Sequence, residues 1–369
     1  MIVINNKYKC CGCSACAQRC PKQCITLHSD EEGFLYPKVN LDNCIDCGLC
    51  EKVCPVLNQT EERLPLEVFA AKNPNEEIRM ESSSGGIFTQ LAEQIIDTGG
   101  VVFGVKWNEH FEAVHAYTDT KEGLAVFRGS KYVQSQVGDT FKQTEHFLKE
   151  GRQILYSGTP CQIAALKLFL RKNYENLITV DVVCHGVPSP KIWREYLNSL
   201  QILDISSISH KDKTTGWRSY SFSIKNKEGD FIYKERASQN KYLKAFVKNY
   251  ILRPSCFACP SKAGKSKSDI TLADYWGVEK IVPKIHDNKG ISFVCINTPK
   301  GEKLFNQLNV ELIQADYYKS IPFNSCIIKS TTEPNDRQEF WMNYNEKGIK
   351  SLLLFQRQNK IIRILKRLI

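Results

Sequence analysis

The sequence predicts an α+β N-terminal segment joined to an α/β domain with a mostly parallel sheet, an antiparallel insertion and a helical C-terminus. Three observations predict this. Ten of the sixteen cysteines lie within the first 54 of 369 residues, strand and helix patterns alternate from about residue 67 to 200, and residues 204–236 alternate like antiparallel strands. Helical patterns from about residue 335 close the chain. We therefore expect regions at residues 1–60, 65–300 and 301–369.

Two cysteine runs with identical spacing dominate the N-terminal segment. Each reads C-x2-C-x2-C-x3-C-P, and the cysteines are Cys10, Cys13, Cys16 and Cys20 in the first run and Cys44, Cys47, Cys50 and Cys54 in the second. This is the pattern of a two-cluster bacterial ferredoxin, in which the fourth cysteine of each run reaches the other cluster. Zinc is the alternative, but zinc sites need only four ligands and usually show two C-x2-C pairs.

We therefore predict an α+β ferredoxin-like domain with two 4Fe–4S clusters. One cluster is assigned to Cys10, Cys13, Cys16 and Cys54, and the other to Cys44, Cys47, Cys50 and Cys20. Short strand patterns at Ile25–Leu27 and Gly33–Val39 stand between the runs, as expected for this fold.

The region after residue 65 alternates strand and helix patterns. Strands are predicted at residues 67–72, 101–106, 113–117, 153–156 and 177–183, and helices at 82–97, 138–149, 162–171 and 191–200. This order favours an α/β layer with a mostly parallel sheet. Within the 204–236 insertion, residues 221–225 and 231–233 read as a hairpin.

One turn, Ser82–Gly86, opens a predicted helix. Unpaired N–H groups and the helix dipole favour an anion at such a position. An ordinary helix cap is the alternative interpretation. The chain contains no G-x-G-x-x-G dinucleotide fingerprint.

Four further cysteines stand at chemically suggestive places. Cys161 lies in a strand-to-helix turn, where open α/β sheets bind ligands, and Cys184 follows the next strand in the same way. Cys256 and Cys259 form a C-x2-C pair, which alone is equally consistent with half a zinc site or a redox dithiol. If the two turns lie side by side, the four thiolates form a third 4Fe–4S site, whose charge nearby lysines would offset. Burial of Cys161 as a small apolar residue is the alternative.

The net charge of +10 comes from two local patches. Residues 241–267 hold seven basic and no acidic side chains, and residues 349–369 hold six and none. Solvated faces explain such patches, so we expect no nucleic-acid partner. The N-terminus resembles no signal peptide, so we expect a cytoplasmic protein. The basic, amphipathic tail at residues 356–369 could lie on a membrane surface, but packing on its own domain is favoured.

At several motifs the chain resembles the family of coenzyme F420 hydrogenase/dehydrogenase beta subunits, whose relatives include 7-hydroxymethyl chlorophyll a reductase. The matching segments are Ser83–Gly86, Arg128–Ser135, Ser157–Gln162, Val183–Ser189, Cys256–Cys259 and Asp269–Gly277. The resemblance implies an FAD beside an additional 4Fe–4S cluster. It assigns cluster ligation to Cys161, Cys184, Cys256 and Cys259, and flavin contacts to Ser84, Gly85, Gly86, Lys131, Gln134, Thr159 and Gln162.

We therefore expect an iron–sulfur flavoprotein oxidoreductase that acts on a small organic substrate or cofactor and works with a ferredoxin or another redox partner protein. The clusters and the flavin would supply the redox chemistry. The rival interpretation is an electron-transfer subunit that delivers electrons to a partner enzyme and has no substrate of its own. A regulatory iron–sulfur sensor is a weaker idea, because the sequence shows no DNA-binding motif.

Overall fold

The structure is a computed structural model, and it describes residues 1–352. The strands are β1 (Ile25–Ser29), β2 (Leu35–Val39), β3 (Glu67–Lys72), β4 (Val101–Trp107), β5 (Ala113–Thr118), β6 (Ile154–Gly158), β7 (Leu177–Val182), β8 (Ser207–Asp212), β9 (Ser221–Lys225), β10 (Phe231–Arg236), β11 (Ile270–Asp274), β12 (Ser292–Ile296) and β13 (Glu311–Gln314). The α-helices are α1 (Ala15–Arg19), α2 (Leu49–Lys52), α3 (Glu76–Glu81), α4 (Ile87–Asp97), α5 (Thr140–Lys149), α6 (Pro160–Leu170), α7 (Pro190–Ser199), α8 (Lys241–Val247), α9 (Val278–Ile281), α10 (Pro299–Phe305), α11 (Tyr317–Ser320) and α12 (Arg337–Lys347). Short 3-10 helices lie at Lys7–Lys9, Glu122–Phe127, Pro254–Ala258, Pro283–Ile285, Ile321–Phe323 and Ser325–Ile327.

The N-terminal segment is built around one antiparallel hairpin. β1 pairs with β2 in a register that runs from Ile25 opposite Val39 to Ser29 opposite Leu35. The carboxylate of Asp30 accepts the backbone N–H groups of Glu32 and Phe34, which fixes the connecting turn. The short helices α1 and α2 lie within the two cysteine runs. The strands predicted between those runs are therefore present.

An eight-stranded mixed sheet forms the centre of the molecule. Its strand order is β13-β3-β12-β11-β7-β6-β4-β5. The four neighbours β11, β7, β6 and β4 are parallel, whereas β5, β12, β3 and β13 pair antiparallel. The prediction of a mostly parallel sheet therefore holds only for the centre. On one flank the chain reverses after a short turn, so β5 runs antiparallel to β4. On the other flank a longer connection leads from β11 to β12, which also runs antiparallel to its neighbour.

Helices cover both faces of this sheet. Val101 and Phe103 of β4 pack in one apolar cluster with Phe141 of α5 and Leu166 of α6. Val102 points to the opposite cluster, together with residues of α4 and α10. Alternate residues of a strand point to opposite faces, so this segregation is what a sheet buried on both sides requires. The sheet thus has an apolar core on each face.

The 204–236 insertion forms a separate three-stranded antiparallel sheet, in the order β10-β9-β8. Buried Lys211 on β8 forms an ion pair with Asp274 at the end of β11. This contact anchors the small sheet at the carboxyl edge of the large one. The antiparallel insertion predicted from the sequence is therefore confirmed.

The C-terminal region departs from the helical prediction. α10, α11 and α12 are helical, but β13 pairs with β3 at the edge of the large sheet. The amphipathic tail at residues 356–369 lies outside the described residues. Within residues 1–352, no helix has the length and apolar character to cross a bilayer.

One edge of the large sheet collects the chemically interesting turns. Since β4, β6, β7 and β11 are parallel, their carboxyl ends lie at the same edge. Cys161 follows β6 and Cys184 follows β7, and these two strands are direct neighbours. The fold therefore brings these two turns side by side, where open α/β sheets bind ligands.

Candidate redox site

The first cysteine quartet surrounds a cavity in the N-terminal segment. Cys10, Cys13, Cys16 and Cys54 all line it, together with apolar side chains that include Leu27, Leu35 and Val56. The fourth cysteine comes from the second run, so the chain crosses between the runs. The structure therefore brings together the four residues assigned from the sequence to the first cluster.

The second quartet surrounds a neighbouring cavity, lined by Cys44, Cys47, Cys50 and Cys20. The backbone N–H of Ile2 donates to the sulfur of Cys50 at 3.3 Å, which is the kind of contact that stabilises a thiolate. Cys47 is exposed, so this quartet borders the protein surface. Electrons could therefore be exchanged with an outside partner at this end.

Burial makes two thiols of the first quartet hard to ionise, those of Cys16 and Cys54. Desolvation, together with charge on Cys10 and Cys54, raises the pKa of Cys16 to about 12. Burial also raises the pKa of Cys54. Four neighbouring thiolates would repel one another, which opposes their ionisation. A bound metal cluster removes this cost, because its cations replace the protons of the thiols. The donor set therefore fits an iron–sulfur cluster.

A third quartet converges at the sheet edge. The segment after α8 pairs with the turn after β7, because Arg253 N–H donates to the carbonyl of Val187 and Val187 N–H donates to the sulfur of Cys256 at 3.4 Å. This pairing carries the C-x2-C segment toward Cys184. Burial is the main reason why the pKa of Cys184 is raised. Negative charge on the other three cysteines, Cys256, Cys161 and Cys259, raises this pKa further. The four cysteines named from the sequence thus lie within electrostatic range of one another.

Lys262 is a cation in contact with this third quartet. Its ammonium donates to the carbonyls of Cys184 and Cys326, and its charge partly offsets the rise in the pKa of Cys184. Lys265 instead lies 3.8 Å from a carboxylate oxygen of Glu62. Of the lysines expected to offset cluster charge, Lys262 therefore has the clearest role.

Within the described residues, no group of three or more His, Cys, Asp or Glu side chains converges tightly enough to hold a single metal ion. A four-iron cubane fills the space between its thiolates, so its ligands stand farther apart than those of one zinc ion. The spacing of the three quartets is therefore compared with that of cluster ligands.

The predicted flavin residues fall into two groups. The first is the turn that opens α4, where the hydroxyl of Ser84 donates to the carbonyl of Ile291 and Gly85 N–H donates to the hydroxyl of Ser292. A Cβ on Gly85 would lie 2.4 Å from the carbonyl of Ala71, so only glycine fits there. Gly86, at φ +79°, caps α4. Much of the polar capacity of this turn is used within the chain.

Lys131 lies close to this turn. Its ammonium donates to three carbonyls, those of Val126, Arg128 and Gly129, at 2.9–3.2 Å. Burial lowers its pKa to about 7. The next residue back, Ser130, binds the hydroxyl of Ser83. Lys131 therefore braces the turn that contacts the α4 entrance, and its ammonium is already engaged.

The second group lies beside the cysteines. The Gln134 amide donates to the carbonyl of Cys11 at 3.1 Å. Gln162 accepts the N–H of Thr159 and donates to the hydroxyl of Ser135 at 3.0 Å. Thr159, Gln162 and Ser135 therefore form one hydrogen-bonded set, and Gln134 is tied separately to the first cysteine run.

A cleft of about 450 Å³ opens between the N-terminal segment and this second group. Gln134, Ser135 and Val137 line one wall, and Gly12, Gln18 and Leu35 are among the residues of the other. The buried Nε2 of Gln18 has no hydrogen-bond partner. Such a cleft has the size and mixed lining of a small-molecule site. Its lining therefore includes an amide donor without a partner, whereas the polar groups of the α4 turn and of Lys131 are largely engaged within the chain.

The sequence did not single out Arg253 or Gln18, and it indicated only a small buried residue at Cys11, which is buried in the structure. Arg253 was counted in a patch interpreted as a solvated face, yet its side chain is fully buried. Its position three residues before Cys256 was the available signal. Cys11 and Gln18 stand inside the first cysteine run, but nothing in that run says which of its residues face another domain.

Comparison with known proteins identifies three matching family models. The 4Fe–4S dicluster domain matches residues 9–58. The N-terminal domain of the coenzyme F420 hydrogenase/dehydrogenase beta subunit matches residues 68–142, and its C-terminal domain matches residues 151–318.

Curated relatives agree with these matches. The chain is 26% identical over 323 residues to a subunit of the F(420)H(2) dehydrogenase of Methanosarcina mazei, covering 82% of this chain and 83% of the relative. It is 27% identical over 200 residues to coenzyme F420-dependent sulfite reductase of Methanocaldococcus jannaschii, covering 52% of this chain and 30% of that protein. A ferredoxin of Mycolicibacterium smegmatis is 45% identical over 42 residues, which are 11% of this chain and 35% of the ferredoxin.

Among solved structures, a chain of the F420-reducing [NiFe] hydrogenase complex from Methanosarcina barkeri aligns with a TM-score of 0.48 at 16% identity, covering 82% of this chain and 94% of that one. The two beta-subunit models and the dicluster model together span most of the sequence, and they match the regions that hold the three cysteine quartets. The chain therefore belongs to the oxidoreductase family of coenzyme F420 hydrogenase/dehydrogenase beta subunits and carries an N-terminal 4Fe–4S dicluster domain.

Proposed function

We propose that the chain is an iron–sulfur flavoprotein oxidoreductase that exchanges electrons between three 4Fe–4S clusters and FAD, and oxidises or reduces a small organic substrate or cofactor. The observation that carries this proposal is the convergence of Cys161, Cys184, Cys256 and Cys259 beside the N-terminal segment. Four half-buried thiols at a sheet edge have little structural reason to meet without a metal cluster.

The proposed ligands are the three quartets described above. When bound, the clusters supply one-electron transfer, and FAD supplies the exchange between single electrons and electron pairs. The protein holds these groups, shields them from water and sets their potentials through hydrogen bonds and charge.

Gln18 and Gln134 are the residues we propose to orient the flavin in the cleft. The unpartnered Nε2 of Gln18 is available as a hydrogen-bond donor to a ring carbonyl or nitrogen, and Ile25, Leu27 and Leu35 provide apolar walls. Thr159 and Gln162 act behind them, since Gln162 fixes Ser135 on the cleft wall. Lys131 and the residues Ser84–Gly86 would shape the neighbouring turn.

The exposed second quartet suits contact with a redox partner protein. Cys47 is exposed, and the apolar side chains of Leu41, Ile45 and Leu57 are each more than half exposed on the same segment. The relative from Methanosarcina mazei is named as a subunit, which supports a partner for this chain as well. We propose a ferredoxin or a partner subunit as that protein.

Anaerobic purification followed by iron, sulfide and flavin analysis tests the proposal. We expect about twelve irons and one FAD per chain. About eight irons would remove the third cluster and leave Cys256 and Cys259 without a role. About four would contradict the two-cluster assignment of the N-terminal segment.

A second candidate function is an electron-transfer subunit without its own substrate, which the exposed second quartet favours. The purified protein should be mixed with reduced and oxidised organic cofactors in the absence of any partner, beginning with coenzyme F420 because relatives carry its name. Turnover by the isolated chain supports the enzyme. A flavin that is reduced only through the clusters, with no organic substrate accepted, supports the relay.

A further inference from the structure

Arg253 lies at the junction of the N-terminal segment and the large sheet. It immediately precedes the 3-10 helix Pro254–Ala258, and its side chain is fully buried. Burial of a guanidinium is rare and costly unless the charge is paired. The groups that surround Arg253 therefore indicate why it is there.

On one side the guanidinium binds the first cysteine run. Its Nε donates to the carbonyl of Cys10 at 2.6 Å, and its Nη2 donates to the sulfur of Cys10 at 3.4 Å and to the carbonyl of Leu35 at 2.9 Å. Gly12 leaves room for this approach, since a Cβ there would lie 2.7 Å from Nη1 of Arg253. The run is thus shaped to admit this side chain.

On the other side Arg253 is tied to the third quartet. Its carbonyl accepts the N–H of Cys256 at 2.9 Å, and its Nη1 donates to the Gln134 side chain at 3.0 Å. The backbone of Arg253 is thus bonded to Cys256 while its guanidinium is bonded to Cys10, so one cation lies beside cysteines of two different quartets.

The guanidinium of Arg253 lies against a cysteine sulfur, that of Cys10. No carboxylate of residues 1–352 forms an ion pair with it. The aromatic rings of Tyr36 and Phe34, at 4.3 and 5.4 Å from the guanidinium carbon, complete its surroundings.

We propose that Arg253 is a counter-ion shared by the first and third cysteine quartets, and that it raises the reduction potential of both clusters. Reduction adds one electron, and so one negative charge, to a cluster, and a buried cation between two such sites stabilises that added charge at either one. This inference rests on the proposed function, because it needs a cluster on the third quartet. Arg253 acts as a positioning residue through its charge and its hydrogen bonds.

EPR-monitored redox titration of the anaerobically purified holoprotein tests this, with dithionite as reductant. In the Arg253→Gln variant, the midpoint potentials of the first and third clusters should both shift to more negative values, while the second cluster stays at its wild-type potential. A Cys161→Ser variant assigns the signal of the third cluster. Arg236→Gln, at an exposed position on β10, is the matched control and should leave all three potentials unchanged.

Arg253→Lys separates charge from hydrogen bonding, because lysine keeps the charge and loses the planar fork. We expect near wild-type potentials in this variant, with weaker retention of iron. If Arg253→Gln fails to assemble its clusters, clusters with wild-type potentials in Arg253→Lys still support the role of the positive charge. Loss of the clusters in both variants overturns that role.

The remaining outcomes are also decisive. A shift confined to the first cluster, or no shift at all, overturns the shared role while a wild-type iron content of about twelve leaves the proposed function standing. A wild-type iron content of about eight contradicts the proposed function itself, and the shared counter-ion falls with it.

Discussion

The sulfur atoms of Cys20 and Cys24 lie 3.4 Å apart, and both line the cavity of the second quartet. The cysteine spacing assigns only Cys20 as a ligand. Although burial opposes ionisation of Cys20, its pKa is lowered because backbone N–H groups and the Cys24 thiol bond to its sulfur. The pKa of Cys24 is raised to about 11, chiefly by its bond to Cys20. Either thiol can donate to the other, so the contact leaves both Cys20 and Cys24 as possible thiolates at this cavity.

Cys20→Ser should lose the second cluster, because Cys20 is the fourth ligand that the spacing of the cysteine runs assigns to it. Cys24→Ser should retain it, since a hydroxyl can still donate to the Cys20 sulfur. Iron content and EPR spectra of the two anaerobically purified variants check this. The opposite pattern, with iron lost only from Cys24→Ser, would make Cys24 the fourth ligand.

Cys161→Ser should lower the iron content by about four per chain and leave the ferredoxin-like clusters intact. Cys161 lies at the N-terminal end of α6, in reach of the other three cysteines of the third quartet. Mössbauer or EPR spectra with iron analysis give the count. An unchanged iron content would show that Cys161 is a packing residue.

Cys11→Ser is the matched control for that variant. The Cys11 thiol interacts with those of Cys13 and Cys161, but Cys11 belongs to neither assigned quartet. We expect its serine variant to keep all clusters. Loss of iron from Cys11→Ser alone would place Cys11 among the ligands of the first or third site.

Local sequence patterns predicted the elements that carry the redox site. The spacing of Cys10–Cys20 and Cys44–Cys54 is set by how a short loop wraps a cluster, so it is readable without a structure. The strand-to-helix turn at Cys161 is equally local, since a short apolar run precedes it and a longer, mostly apolar run of good helix formers follows it. Both cysteine runs therefore lie where the spacing requires.

Other features depend on long-range pairing, which no local pattern specifies. The sequence could not show that β12 and β3 run antiparallel, because buried parallel and antiparallel strands are both continuous apolar runs. Nor could the count of charges show that Arg253 is buried, unlike an ordinary residue of a solvated basic patch. Its partners, Cys10 and Gln134, are distant in sequence and meet it only in the fold.

Lys131→Ala should weaken FAD retention more than it lowers iron content. The Lys131 ammonium holds the carbonyls of Val126, Arg128 and Gly129 together, and alanine would release this turn from the α4 entrance. The ratio of flavin to iron after dialysis measures the effect. Lys121 is an exposed lysine at the start of the 3-10 helix Glu122–Phe127, which contains Val126, and Lys121→Ala should keep the wild-type ratio. Full flavin occupancy in Lys131→Ala would limit Lys131 to a structural role.

His115 should make the folded protein sensitive to mild acid. Burial lowers its pKa to about 4, and its ring stacks on Tyr156 while Nδ1 contacts the hydroxyl of Ser135 at 3.2 Å. In the unfolded chain a histidine titrates near its usual value of about 6.5. Between these two pKa values the unfolded state binds a proton that the folded state excludes, so stability falls as pH decreases through this window.

The expected loss from His115 between pH 7 and pH 5.5 is about 1 kcal/mol, or roughly 2 °C in Tm. His115→Gln stays neutral and can still reach Ser135, so its Tm should fall less over the same interval. His146→Gln, at an exposed position on α5, should follow the wild type. Thermal unfolding of the three anaerobic proteins at both pH values gives the comparison. Because buried His210 and the clusters are common to all three, their own acid sensitivity cancels in the differences between variants. Equal pH dependence in wild type and His115→Gln would show that the ring accepts a proton without cost, contrary to its burial beside Tyr156.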